Sequence, residues 1–334
     1  MKIIGWDIGG AHIKAIKIDF KKKNVKKEQI YSPVWKNISY LKKSIKLLKK
    51  KLGKSDFHAV TMTAELSDIF FNRSVGTKYI INLTSKLFSK NNVYFYNYKK
   101  NFLKKKNAIK ETSSINSMNW HASANLLSKY ISNCLLIDIG STTTDIIPIK
   151  NGKIVSKGSN DSKRLKNKEL LYLGALRTPI TALEKHKNII YEDFSNVADI
   201  YRILGKIPKK LDKIPTQDNK KKDKHSSARR LARVYGQDYR KKDFKKWKKI
   251  SSLLEKKQKK ILKENINKIK RIFFKKKVKI VGAGIGKFLI KNLFKKNYID
   301  FEKQIKFFKK EIINLESATS VAFLLHDFLK KKKI

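Results

Sequence analysis

A single cysteine, Cys134, excludes an intrachain disulfide, and nowhere do about 18 apolar residues follow one another, the length a membrane-spanning helix needs. No membrane partner is expected. The first residues enter a patterned strand at once, without the charged, apolar and small-residue regions of a signal peptide. A cytoplasmic protein is the expectation, with Cys134 a core residue at the head of an apolar strand. Acidic residues are also scarce: 27 Asp and Glu stand against 80 Lys and Arg, a formal net charge of +53. Such a balance points first to nucleic acid. The excess, however, is lysine scattered over the whole chain. Arginine, whose fork reads guanine and phosphate, is sparse. Specific nucleic-acid binding is therefore not expected, and DNA or RNA should bind only weakly and in a salt-sensitive way. The same positive field attracts an anionic small molecule.

Two stretches repeat one pattern. Ile3-Ile4-Gly5-Trp6-Asp7-Ile8-Gly9-Gly10 and Leu135-Leu136-Ile137-Asp138-Ile139-Gly140-Ser141-Thr142-Thr143-Thr144-Asp145 each run apolar, then Asp-Ile-Gly, then small residues. Each then returns to an apolar run, the signature of a strand, a tight turn and a second strand. An isolated Asp-Ile-Gly is usually only a β-turn; a pair of them in one chain is not so easily dismissed. Backbone N–H groups and Ser/Thr hydroxyls in such turns cradle phosphate oxygens. Carboxylates beside phosphate require an intervening hard cation, so Mg²⁺ held through water by Asp7 and Asp138 is expected, with Asp145 a weaker choice whose alternative is to brace the hairpin. Two loops suggest a phosphate or diphosphate clamped between related halves, with both hairpins on one cleft.

With 334 residues and 41% hydrophobic content the chain has material for two cores. The spacing of Ile38, Leu41, Ile45, Leu48 and Leu52 predicts a helix over 37–52. Strands are expected at 57–62, 93–96 and 277–281, and helices at 77–89, 119–130, 196–204, 226–235, 245–272 and 317–329. Asn151-Gly152 marks a hairpin turn, and 208–224, with Pro208, Pro215 and a lysine run, reads as a loop. Alternating strands and helices indicate α/β architecture. The expected division is a first lobe over 1–125, a second over 126–316, and a C-terminal helix over 317–334 that returns to the first.

The paired hairpins, with Lys14 seven residues after Asp7 and the turn Val281-Gly282-Ala283-Gly284-Ile285-Gly286, resemble the actin/Hsp70/sugar-kinase superfamily, a two-lobed ribonuclease H-like fold. That resemblance implies a phosphate hairpin in each lobe, a lysine reaching the phosphates, and a nucleotide- or substrate-cradling turn at Gly282, Gly284 and Gly286. Further segments resemble the hydantoinase/oxoprolinase-like proteins of tetrahydromethanopterin-linked C1 transfer. These are 5–15, His58-Ala59-Val60-Thr61-Met62-Thr63-Ala64-Glu65-Leu66, 138–147, Leu173-Gly174-Ala175-Leu176-Arg177-Thr178-Pro179, Ala198-Asp199-Ile200-Tyr201-Arg202 and Ala228-Arg229-Arg230-Leu231-Ala232-Arg233. Ala64 stands where that family leads one to expect glycine.

The narrower resemblance implies a transferase of methanofuran-type cofactor biosynthesis. It would join a furan-methyl diphosphate to a tyramine-type phenol, with diphosphate leaving. Gly9, Gly10, Gly140, Ser141, Thr142 and Thr143 would then bind the diphosphate, with Lys14 as a point charge. Glu65 is the first choice for the phenol's base and His121 the second or a substrate contact. Arg177 would grip an acidic tail or brace a turn. An ATP-dependent kinase or amidohydrolase is the alternative on the same fold, and a basic nucleic-acid binder a distant third.

Overall fold

Strand β1 (Lys2–Ile8) and strand β2 (His12–Asp19) pair antiparallel, with Asp7 opposite Lys14. The computed structural model describes residues 1–88, 92–184, 188–208, 211–305 and 315–332. Strand β3 (Asn24–Tyr31) pairs with β2 and forms one edge of the sheet. Its polar sequence carries no apolar alternation, so only the turn before it is legible in the sequence. Lysines on such an edge discourage pairing with another chain. On its other side β1 runs parallel to β4 (Phe57–Met62), which is parallel to β5 (Val93–Asn97). A short β6 (Asn101–Leu103) returns antiparallel, giving the order β3-β2-β1-β4-β5-β6.

The helix Ser39–Leu52 buries Leu41, Ile45, Leu48 and Leu52, each stabilising by roughly 1.5–3 kcal/mol relative to exposure. It stops at Gly53, whose φ of 73° no β-carbon tolerates well and whose N–H caps the Lys49 carbonyl at 3.0 Å. The C-terminal helix Glu316–Lys331 packs on β1 and β4. It approaches β1 so closely that a β-carbon on Gly5 would lie 1.9 Å from the Ala318 carbonyl oxygen. Gly5→Ala should therefore cost roughly 1–3 kcal/mol or more by overpacking. Thermal unfolding checks this; an unchanged midpoint would mean that the helix docks less tightly.

The second sheet has the order β10-β8-β7-β11-β12, from β7 (Cys134–Ile139), β8 (Thr144–Lys150), β10 (Leu170–Leu171), β11 (Lys279–Ala283) and β12 (Tyr298–Asp300). Strand β9 (Lys153–Ile154) pairs with the end of β8 across Asn151 and Gly152, both at positive φ as a type I′ turn requires. The long helix Phe244–Phe273 covers this sheet's core with Trp247, Leu254, Leu262, Ile266 and Ile269.

The chain folds into two compact units, one of Met1–Asn133, Ile149–Val155 and Phe301–Ile334 and another of Cys134–Pro148 and Ser156–Asp300. The boundaries differ from those expected. Residues 126–133, 149–155, 301–305 and 315–316 fall with the first unit instead of the second. The 149–155 tip is held there by Asn151 and Gly152 N–H groups on Asn133 Oδ1 and the Ser132 carbonyl. The C-terminal helix lies in the first unit. Residues 333–334 of its expected span, like 209–210 of the expected loop, lie outside the described residues.

The arginines of the 198–202 and 228–233 segments build a buried ion cluster. Asp199 accepts from Arg202 at 2.8 Å and from Arg230 at 2.7 Å. Arg202 forks onto Asp212 at 2.6 and 2.8 Å, and Arg230 reaches Asp218 at 3.0 Å. These charge-assisted bonds tie the proline-containing segment down onto two helices. Removing one partner would strand a buried charge.

Candidate functional site

In the first unit the hairpin turn between β1 and β2 is closed by Gly9 N–H on the His12 carbonyl at 3.0 Å. A β-carbon on Gly9 would come within 2.7 Å of that same carbonyl, so the turn demands glycine. The Gly10 and Ala11 carbonyls are taken by the Val34 and Ser32 N–H groups at 3.0 and 2.9 Å. In a trans peptide C=O and N–H point opposite ways, so the Ala11 N–H faces away from that segment.

The second unit repeats the device. Gly140 N–H closes its turn on the Thr143 carbonyl at 2.9 Å. The Gly140 carbonyl accepts from Ala175 N–H at 3.0 Å, and the Ser141 carbonyl from Leu176 and Arg177 N–H at 3.0 and 2.8 Å. The N–H groups of Ser141 and Thr142 are thereby turned outward, beside the hydroxyls of Ser141, Thr142 and Thr143. Amides turned away from carbonyls that are engaged elsewhere have the geometry of an anion cradle. The 173–178 segment is what occupies them. Gly174 lies so close to Ser141 that a β-carbon would be 2.5 Å from its oxygen. Its carbonyl is held by Gln258 Nε2 at 2.8 Å, and Gln258 in turn accepts from the buried Tyr201 hydroxyl. Gln258 carries no sequence signal, because its link to the loop is purely three-dimensional.

Asp7 is buried, 4% exposed. Its Oδ2 accepts from the Ser317 hydroxyl at 2.6 Å and lies 3.7 Å from Lys14 Nζ. Its Oδ1 is buried and, among the described residues, has no hydrogen-bond partner. A buried carboxylate oxygen left over suits a water or the hydration shell of a cation. No group of three or more His, Cys, Asp or Glu fit to hold a metal occurs among the described residues. Ser317, from the far end of the chain, is a partner of Asp7 that local pattern reading misses.

Asp145, expected to help organise the metal, is committed elsewhere. Its Oδ1 takes Arg164 Nη1 at 2.8 Å, and Arg164 is 1% exposed. Burial pushes the Asp145 carboxyl up, opposed by that arginine. It braces β8, and a metal role for it is set aside.

Glu65 sits in a 3₁₀ turn directly after β4 and is 1% exposed. Ser117, itself in the left-handed region at φ 53°, donates to Glu65 Oε1 at 2.7 Å. Oε2 has no hydrogen-bond partner among the described residues. Burial pushes the carboxyl up to about 7, against the opposing pull of the Ser117 hydroxyl and the Arg73 charge. Ala64, at the position where the resemblance favours glycine, is not among the residues at positive φ, so a β-carbon is tolerated there.

His121 Nδ1 meets the Tyr96 hydroxyl at 2.8 Å, and that hydroxyl accepts from Asn125 Nδ2 at 2.9 Å. If the Tyr96 proton goes to Nδ1, neutral His121 carries its own proton on Nε2. In that tautomer it donates, which weakens its claim as the phenol's base. Arg177 points Nη1 at Thr142 Oγ1, 3.5 Å away, so its guanidinium lies beside the second cradle. Asp138 is half-buried on β7, opposite Ala283 of β11, and the glycine-rich turn follows β11 at once.

The Hydantoinase/oxoprolinase family model matches residues 56–326. A Methanocaldococcus jannaschii protein named (4-{4-[2-(gamma-L-glutamylamino)ethyl]phenoxymethyl}furan-2-yl)methanamine synthase is 38% identical over 240 residues, 70% of this chain and 71% of that one. A Methanococcus vannielii protein of the same name is 33% identical over 209 residues, 60% of this chain and 94% of that one. Among solved structures, nucleotide-free acetone carboxylase aligns over 97% of this chain and 70% of its own, with a TM-score of 0.63 at 10% identity, a likeness of fold alone. The chain belongs to the hydantoinase/oxoprolinase family.

Proposed function

We propose that this chain is a transferase that builds an aryl furan-methyl ether, joining a furan-methyl diphosphate to the phenol of a tyramine-type acceptor. The observation that carries this reading is the Ser141–Thr143 cradle, whose outward amides and hydroxyls match a leaving diphosphate. It occurs in a chain 38% identical over 240 residues to a synthase whose name contains a phenoxymethyl-furan. In the reaction the phenol oxygen bonds to the furan CH₂ carbon as that carbon's bond to the diphosphate oxygen breaks. The phenolic proton passes to a base, and diphosphate carries away the electron pair.

Donors fixed before the reaction begins stabilise charge developing on the leaving oxygens, and they do so without reorganising. The Ser141 and Thr142 N–H groups and the Ser141, Thr142 and Thr143 hydroxyls are those donors in the second unit. Lys14 is a compact cation on the first hairpin. Each hairpin also carries one carboxylate, Asp7 or Asp138, suited to hydrogen-bond the water shell of Mg²⁺. When bound, such an ion neutralises diphosphate charge. Glu65 is the proposed proton acceptor. An ordinary phenol titrates near 10, so a base poised around neutrality assists its loss. Ser117 occupies one Glu65 oxygen, and Oε2 is the one left to receive the proton.

Incubation with an aminomethylfuran-methyl diphosphate and a tyramine-type phenol should release diphosphate without ATP. Release only when ATP is supplied would overturn the reading. Asp138→Asn should lower turnover far more than the thermal midpoint. Parallel loss of both would mean that Asp138 merely braces β7.

A further inference from the structure

The glycine-rich turn is the one motif that the proposed chemistry leaves without work. In a nucleotide cradle, bare glycines leave backbone open for a ligand to approach. Here the side-chain position of each glycine is filled by the chain itself. A β-carbon on Gly282 would lie 2.4 Å from the Tyr298 ring and its hydroxyl oxygen. One on Gly286 would lie 2.2 Å from the Ile139 side chain. One on Gly284 would lie 2.4 Å from both Asp138 Oδ1 and the Ile139 carbonyl oxygen.

The Tyr298 ring is itself fixed. Its hydroxyl donates to Asp300 Oδ1 at 2.8 Å, and the same oxygen lies 3.4 Å from Lys287 Nζ. Lys287 is the first residue of the helix that follows the turn. Gly286 N–H donates to the Ile139 carbonyl at 2.9 Å, which anchors the turn to the end of β7, one residue beyond Asp138. Gly284 has a φ of 76°, a conformation that places its backbone against the Asp138 carboxylate and that other residues adopt only with strain.

We infer that the 282–286 turn is a positioning element for Asp138 and not a nucleotide cradle, with Gly284 the residue whose missing side chain gives the Asp138 carboxylate its place. This rests on the reading of Asp138 as part of the diphosphate-binding hairpin. It explains why the glycine pattern of a nucleotide-using fold persists in a chain whose proposed reaction consumes no nucleotide. The turn still serves the neighbouring carboxylate.

The test uses the full chain, with inorganic diphosphate, ADP and adenosine as calorimetric probes in the presence of Mg²⁺. Wild-type protein should bind diphosphate, should bind ADP no more tightly than diphosphate, and should not bind adenosine. ADP binding tenfold or more above diphosphate, or saturable adenosine binding, would overturn the inference without any variant being made. Gly284→Ala and Asp138→Asn should each weaken diphosphate at least tenfold, measured below their own thermal midpoints. The double variant should be no worse than the poorer single one, because both act through one carboxylate. Fully additive losses, or an unaltered affinity in Gly284→Ala, would sink the positioning role while leaving the transferase reading in place. An Asp138→Asn protein with wild-type affinity and turnover would instead sink the assignment of the second hairpin itself. Should Gly284→Ala fail to fold, the wild-type probe comparison still decides.

Discussion

Lys14→Ala should lower kcat by roughly one hundredfold or more, the scale of losing one preorganised donor and about 2.7 kcal/mol of transition-state stabilisation. Lys14 stands opposite Asp7 across the first hairpin, with its ammonium 3.7 Å from Asp7 Oδ2 and its side chain 23% exposed. At that distance the pair is an ionic contact rather than a hydrogen bond, since Oδ2 is already taken by Ser317. The ammonium is thus held beside the first hairpin. If it offsets charge that grows on the departing diphosphate, its contribution is larger in the transition state than in the bound substrate, and the loss falls on kcat more than on KM. Lys14→Arg should restore activity only in part, because a planar fork does not reproduce a compact ammonium. Lys221→Ala, an exposed site, should alter little beyond salt sensitivity. Equal steady-state kinetics for Lys14→Ala and Lys221→Ala would remove Lys14 from the mechanism.

The parts of the fold that the sequence announces are those governed by local periodicity and by backbone conformation. The Asp-Ile-Gly hairpins, the helix ending at Gly53 and the Asn151-Gly152 turn are legible because glycine and apolar spacing record them directly. Strand β3 is not, since a polar edge strand has no buried face to impose alternation. The short elements β6, β10 and β12 lack enough length for any period to show. The same division runs through the candidate site. Asp7, Lys14 and the Ser141–Thr143 run stand out in sequence. Ser317, Ser117, Gln258 and Arg164 do not, because each acts on a residue distant along the chain: Ser317 on Asp7, Ser117 on Glu65, Gln258 on Gly174, Arg164 on Asp145. Asp145 misleads for that reason. Its position after the second turn matches a metal carboxylate, and only the fold brings Arg164 against it. The glycines at 282, 284 and 286 mark close approach in the sequence as they do in the structure, but sequence does not say what approaches.

Glu65→Gln should separate two consequences of one buried carboxyl. Burial lifts the group from its ordinary value of 4.5 to about 7 in the folded chain, with Ser117 and Arg73 pulling the other way. Because the folded value is the higher one, the protonated form is favoured by folding. The resulting stability is fully present below about 4.5, the unfolded value, and is lost as pH rises through about 7. The shift corresponds to roughly 3 kcal/mol, so wild-type stability should decline across that window. Glutamine is neutral throughout and keeps an oxygen to accept the Ser117 hydroxyl. Glu65→Gln should therefore flatten this part of the pH dependence of unfolding and raise the thermal midpoint at about pH 8 above that of the wild type. As a base, the same residue predicts the opposite trend for catalysis. Activity in the wild type should rise with pH on an ionisation near 7, and Glu65→Gln should lose at least roughly one hundredfold in kcat with that acid limb abolished. Denaturant unfolding and a pH–rate profile on the same two proteins make the comparison. A stabilised Glu65→Gln that turns over at the wild-type rate would leave Glu65 as a brace for Ser117 and send the search for the phenol's base elsewhere. An inactive variant whose stability still falls between about pH 4.5 and 7 would show that another group supplies that dependence, and that the carboxyl is not held in the environment described for it.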